Sequence, residues 1–336
     1  MKKKITALLL AALLVMSLAA CAKAPAETAP TPSADAPAEP AAQTYTVGIC
    51  QLVQHPALDA ATQGFQDKLT ELLGDAVSFD VQNASGDAPT CATICNQLVS
   101  SKVDLIMANA TPALQAALTA TNSIPVLGTS ITDYGTALGV TDWSGITGTN
   151  VTGTSDLAPL DQQAAMINEL FPDAKNVGIL YCSAEPNSKY QSDVITGYLT
   201  EMGYSCKEYT FSDSNDVQSV AVAAAADSDV IYIPTDNTAA SNAGIIKNVC
   251  VPAGIPIGAG EEGICSGCGV ATLSISYYDL GVAAAEMAYE ILVNGADPAE
   301  MTVRFAPSFT KEYNAEICET LNVTIPEDYT AIAAEG

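Results

Sequence analysis

From Thr44 onward the chain alternates short apolar runs with amphipathic segments, and it does so twice. Tyr45–Cys50, Val77–Val81, Leu105–Ala108 and Ile124–Gly128 read as strands. Between them, Pro56–Leu73 places Leu58, Ala61, Phe65, Leu69 and Leu72 at helical spacing. Thr90–Val99 and Pro112–Ala120 read as further helices. Apolar runs separated by amphipathic helices give βαβ units and a parallel sheet buried on both faces. The pattern then restarts. Helices are expected at Pro159–Leu170, Ser188–Met202, Ser214–Ala226, Thr238–Val251 and Tyr278–Leu292. Strands are expected at Asn176–Tyr181, Ser205–Phe211, Val230–Ile233, Pro256–Gly258 and Ala271–Ser276, followed by a short tail, Thr302–Ala333. The two halves echo each other at strand ends, where Leu105–Pro112 parallels Val230–Asn237. The expected fold class is therefore α/β, with two doubly wound Rossmann-like lobes joined by a hinge. Ligands of such sheets bind at the carboxyl ends of the strands. Two sheets facing each other across a hinge surround one cleft with both sets of loops.

The first 43 residues do not fit this pattern. Lys2, Lys3 and Lys4 precede an apolar run from Ile5 to Ala20, the layout of a secretory signal. The run is short for a membrane span and is followed at once by polar sequence. Its end, Leu18-Ala19-Ala20-Cys21, resembles the lipobox of bacterial lipoproteins, which implies a lipid (palmitate among its acyl chains) on Cys21. An ordinary signal peptide cleaved near Ala20 is the alternative. Residues 22–43 are almost entirely Ala, Pro, Thr, Ser and Glu and cannot bury enough surface to offset ordering. They are expected to form an extended tether. The expected location is the extracytoplasmic face of the cell membrane.

Charge excludes several functions. The chain carries 12 Lys+Arg against 38 Asp+Glu, a net −26. Without the three signal lysines the count is 9 against 38, or −29. Such a field repels nucleic acid and anionic lipid surfaces. Ten cysteines, one of them Cys21, leave an odd number and no evident disulfide framework. Cys91 and Cys95 stand at helical spacing, and Cys265-Ser-Gly-Cys268 is a CxxC, open to a disulfide or to free thiols. With His55 the only histidine, no metal site and no cofactor are expected. GxSxG, HExxH and Walker patterns are absent, as is a GxGxxG after the first strand, so no enzyme is expected.

Several stretches together resemble the substrate-binding lipoproteins of ABC importers, in the branch associated with tryptophan and other aromatic amino acids. They are Val47–Gln51 with His55–Asp59, Asn150–Gly153 with Ser155–Leu157, Glu185–Ser188, Pro234–Thr238, Gly260–Gly263 and Tyr277–Gly281. The resemblance runs from about 45 to 325. It implies a type I periplasmic-binding architecture with three crossovers: residues 44–153 plus 275–300 in one lobe, 154–274 plus 301–333 in the other. It implies a monomer that binds an amino acid-like ligand, closes, and delivers it to an ABC permease and its ATPase. The alternatives on the same fold are a sensory or adhesive lipoprotein, or a binding protein for a different small hydrophobic or polar solute.

An amino acid needs a carboxylate for its ammonium, and hydroxyls, amides or helix N-termini for its carboxylate. The expected ligand-binding residues are Gln51, His55, Thr111, Ser155, Asp156, Asn187, Asp236, Asn237 and Glu262. Asp236 follows a strand end and is expected to pair with the ammonium, or to cap the helix starting near Thr238. Asn187 is expected to bind the ligand's carboxylate or ammonium, Thr111 its carboxylate, and the Ser155-Asp156 pair to touch ligand and sense closure, each with helix capping as the alternative. Of the neighbours Glu261 and Glu262, one is expected to line the cleft and the other to face solvent or sit at the hinge. Tyr277 and Tyr278 hold the hinge or wall the pocket. Trp143 is not assigned to ligand.

Overall fold

The computed structural model describes residues 43–333. The signal segment, Cys21 and nearly all of the tether lie outside those residues. The first lobe is built on β1 (Tyr45–Gln51), β2 (Val77–Asn83), β3 (Leu105–Asn109), β4 (Val126–Ile131) and β5 (Val151–Ser155). They are interleaved with α1 (Pro56–Leu73), α2 (Ala88–Ser100), α3 (Thr111–Ala120) and α4 (Tyr134–Leu138). Every pairing among these strands is parallel. β3 is buried at all five positions, as a central strand covered on both faces must be.

The chain then crosses to a second sheet. Its parallel strands are β6 (Asn176–Cys182), β7 (Ser205–Phe211), β8 (Val230–Ile233), β9 (Ile257–Ala259) and β10 (Ala271–Ser274). The helices are α5 (Leu160–Leu170), α6 (Pro186–Glu201), α7 (Val217–Asp227), α8 (Asn237–Ser241), α9 (Ala243–Cys250) and α10 (Glu262–Cys268). A second crossing leads to α11 (Tyr277–Leu292), which packs along α1 of the first lobe. β11 (Arg304–Phe305) pairs with β5, and a third crossing brings β12 (Thr310–Tyr313) antiparallel to β10. α12 (Ala315–Leu321) and β13 (Thr330–Ala331) finish the second lobe. The sheet orders are β11-β5-β4-β3-β1-β2 and β13-β12-β10-β9-β8-β6-β7. This is the α/β architecture expected from the alternation.

The α1–α11 contact depends on two glycines. A Cβ on Gly281 would stand 2.0 Å from the Ala61 carbonyl oxygen, and one on Gly64 would stand 2.1 Å from that of Tyr278. The two backbones can approach this closely only without side chains there. The helix that leaves the hinge is thereby fixed to the first lobe.

Four features depart from the sequence expectation. β11 lies in the first sheet beside β5, whereas the sequence places all of 301–333 in the second lobe. A two-residue pairing leaves no periodic signal. The single helix expected over Thr238–Val251 is broken at Asn242, where φ is −119° and ψ is 17°. The Asn242 side chain donates to the Thr238 carbonyl at 2.8 Å and replaces the continuing helical bond. α4 and α10, of five and seven residues, are too short to show a period. β5 (Val-Thr-Gly-Thr-Ser) is buried throughout, yet its residues are small and polar enough to read as loop.

The nine cysteines among the described residues are free thiols. Cys265 and Cys268 lie on α10, buried in the second core. Trp143 stacks on Tyr134, with ring centroids 5.8 Å apart and planes 13° apart, and packs against the first core.

Candidate functional site

The carboxyl ends of the strands in both sheets face one enclosed cleft. His55 and Leu58 enter it from the start of α1, Ser130 and Thr132 from the end of β4, and Asp156 from the first crossing. Asn187 comes from the start of α6, Thr235, Asp236 and Asn237 from the end of β8, Glu261 from the start of α10, and Tyr277 from the second crossing. The lobes touch across it: His55 Nε2 lies 3.2 Å from Asn237 Oδ1.

Five of the expected ligand residues therefore share this cavity: His55, Asp156, Asn187, Asp236 and Asn237. The other four lie elsewhere. The Gln51 side chain is consumed within the first lobe, donating to the Val53 carbonyl and Asp59 and accepting from the Thr62 hydroxyl. Thr111 is a buried first residue of α3, off the cavity wall. The Ser155 hydroxyl donates to the Thr132 carbonyl at 2.9 Å and holds the crossing in place. Glu262 is exposed and lines a neighbouring hinge-side groove of about 350 Å³, while Glu261 is the glutamate that reaches the cleft.

The cleft is acidic and has no counter-charge: no lysine or arginine among the described residues lines it. What separates its carboxylates is how far each is already satisfied. Asp236 accepts from the Cys182 and Ala239 backbone N–H groups, each at 2.7 Å. Glu261 accepts from those of Gly263 and Ile264, each at 2.6 Å. Both are helix caps. Burial pushes the Glu261 carboxyl up to about 7, and burial with the Glu185 charge nearby pushes Asp236 up too. Asp236→Ala is therefore expected to cost about 1–2 kcal/mol of stability through the lost cap. Urea unfolding should show that loss, with ligand affinity changed less than stability.

Asp156 is different. Its Oδ2 accepts from the Tyr277 hydroxyl at 2.9 Å, while its Oδ1 is buried with no partner. Burial raises its pKa to about 6. A buried carboxylate oxygen left unpaired is costly and marks the place where a cationic donor belongs. Three further buried polar atoms of the cleft are also unpartnered: His55 Nδ1, Asn187 Oδ1 and the Ser130 hydroxyl. Burial depresses the His55 pKa, which keeps the ring neutral.

Ser130 was not foreseen. It holds φ at +56°, a left-handed conformation rare for serine, where the β4–β5 register shifts. Such strain persists only where surrounding structure enforces it, and it gathers at binding sites. Its only sequence signal is a polar Thr-Ser-Ile-Thr stretch at a strand end.

Residues 46–336 match the family described as ABC transporter substrate binding protein. A curated relative, the tyrosine-binding protein of Clostridioides difficile (strain R20291), is 39% identical over 249 residues, 73% of this chain and 72% of the relative. The structure of an ABC domain in complex with L-Trp from Streptococcus pneumonia superposes with a TM-score of 0.81 at 34% identity. That match covers 85% of this chain and 97% of the other. The ligand-free, open structure of a Clostridium difficile substrate binding protein with adhesive properties is 35% identical and covers 87% of this chain and all of its own, with a TM-score of 0.66. At nearly the same identity, 34% against 35%, the chain superposes better on the ligand-bound form than on the open one, in keeping with a cleft closed by the His55–Asn237 contact.

Proposed function

The chain belongs to the family of ABC transporter substrate binding proteins, and from that premise we propose that it captures an aromatic amino acid by placing the ligand's ammonium on Asp156. One observation carries this reading. Of the described carboxylates facing the cleft, Asp156 alone presents a buried oxygen without a donor, and among the described residues no lysine or arginine lines the cavity to supply one. A primary ammonium supplies both the charge and the hydrogens. The tyrosine named for one relative and the L-Trp bound in another support an aromatic side chain on the ligand.

The protein works outside the cytoplasm with an ABC permease. We extend this to a lipid anchor on Cys21, a tether over 22–43, and a monomer that passes ligand to the permease and its ATPase. The two lobes are taken as 44–155 with 277–305, and 156–274 with 310–333. The signal-like run ending at Cys21 and the Pro- and Ala-rich stretch after it support the anchor. Among the described residues no helix is long and apolar enough to cross a membrane.

Thermal melts test the ligand class. At 100 times its Kd a ligand adds about 2.7 kcal/mol, a rise of about 5–10 °C for a body of this size. L-Tryptophan, L-tyrosine or L-phenylalanine should produce that rise. No shift with any of the three would discard the aromatic reading.

A further inference from the structure

Glu185 does not line the cleft, yet it is hydrogen-bonded to two residues that do, Asn187 and Asn237. It is 4% exposed and accepts five hydrogen bonds. They come from the Asn237 backbone N–H at 3.0 Å, Asn237 Nδ2 at 2.6 Å, Asn187 Nδ2 at 3.2 Å, the Thr238 backbone N–H at 2.9 Å and the Thr238 hydroxyl at 2.8 Å. A carboxylate only accepts, so both amides must turn their NH₂ groups towards it and their carbonyl oxygens away. For Asn187 the Nδ2 is held further by the Ser188 hydroxyl and the Thr235 carbonyl, and its Oδ1 is left buried and unpartnered. For Asn237 the Oδ1 faces His55 Nε2 at 3.2 Å. An oxygen that can only accept obliges Nε2 to carry the proton. In a neutral imidazole the other nitrogen, Nδ1, is then bare. That Nδ1 is buried in the cleft without a donor.

We propose that Glu185 is a positioning residue for ligand recognition: through Asn237 it fixes His55 as the Nε2–H tautomer, and through Asn187 it aims a second acceptor into the cleft. This deepens the proposed function and rests on it. Together with Asp156 Oδ1 the cleft then offers three acceptors and no opposing cation. The matching ligand is a primary amine whose N–H groups, with a phenol O–H or indole N–H where the side chain has one, reach these atoms. Nothing in this relay is covalent: one carboxylate sets two amide orientations, and one amide sets a ring tautomer.

The sequence supplies a clean probe, because His55 is its only histidine. Nitrogen NMR of protein labelled at histidine therefore reads a single imidazole. With saturating L-tryptophan or L-tyrosine, Nε2 should be protonated and Nδ1 bare, and the Nδ1 resonance should move as ligand binds. A bound ring protonated at Nδ1 or at both nitrogens, or an Nδ1 resonance indifferent to ligand, overturns the proposal. Glu185→Gln adds a second arm. Its amide can satisfy fewer of the five donors, so Asn237 is freed to turn and the ring to change tautomer. Affinity should fall at least about tenfold with a mixed or reversed tautomer. If Glu185→Gln lowers stability while the ring stays Nε2–H and affinity holds, Glu185 is only structural and the proposal fails. If the variant does not fold, the spectrum of the natural chain decides alone. Calorimetry separates the two levels. No binding of either amino acid removes the ligand reading and this inference with it, whereas binding with the other tautomer removes the inference alone.

Discussion

Asp156→Asn will bind aromatic amino acids at least about a hundredfold more weakly than the natural chain, because removing one partner of a buried charge pair costs about 3 kcal/mol or more. The substitution is nearly isosteric. The new amide oxygen can still accept from the Tyr277 hydroxyl, which Asp156 Oδ2 now does at 2.9 Å. Packing at the crossing is kept while the counter-charge is lost. Calorimetric titration with L-tryptophan and L-tyrosine gives the affinity, and the melting temperature of the empty protein controls for folding. An affinity within threefold of the natural chain would assign the ammonium to another group.

Acid will close the empty protein. In the closed form, burial raises Asp156 from an ordinary value near 4 to about 6 and Glu261 to about 7. A carboxyl whose pKa is higher in the closed state binds its proton more tightly there. Its contribution to closure is complete below the open-state value near 4 and is lost as pH rises through 6 and 7. Each pKa unit is worth about 1.4 kcal/mol, so the closed-to-open ratio should fall at least about tenfold between pH 5 and pH 8. Small-angle scattering without ligand should show a smaller radius at pH 5 than at pH 8, and ligand at pH 8 should restore the smaller radius. Asp156→Asn, which cannot titrate there, should weaken the pH response. Equal radii at both pH values without ligand would contradict this. In a closed cleft without ligand at neutral pH the buried carboxylates face no cation, and an arriving ammonium removes the reason to open.

Much of this architecture could be read from the sequence. The bounds of α1, Pro56–Leu73, follow from Pro at the first position and apolar residues three and four apart. β7 and β8 likewise fall where their β-branched and aromatic residues put them. Among the elements that escaped were β5, β11, α4 and α10, which are too short or too polar to show a period. The site was legible only to the level of the loop. Asp156 and Asp236 both follow strand ends, and their order of importance for the ammonium could not be read from that position. It depends on how many backbone N–H groups each meets: two for Asp236, and none on Oδ1 for Asp156. Glu261 and Glu262 divided as strand-end neighbours must, one inward and one outward, but which is inward depends on the capping of α10. Ser130 left only a polar stretch at a strand end, and the Glu185 relay could not be read because Asn237, Thr238 and His55 lie far from it in the chain.

The three crossings also govern how such a chain comes to be folded. α1 and α11 meet with more than two hundred residues between them, and the first sheet takes its last strand from Arg304–Phe305. Neither lobe is a contiguous stretch that can finish while the rest is still being made. Contacts of such long range form late, since chain closure must precede the gain from packing. Both lobes thus stay unfinished until these last strands are in place. The same arrangement gives the tail a part in both sheets: a chain stopped short of β11 and β12 would uncover β5 in one and β10 in the other.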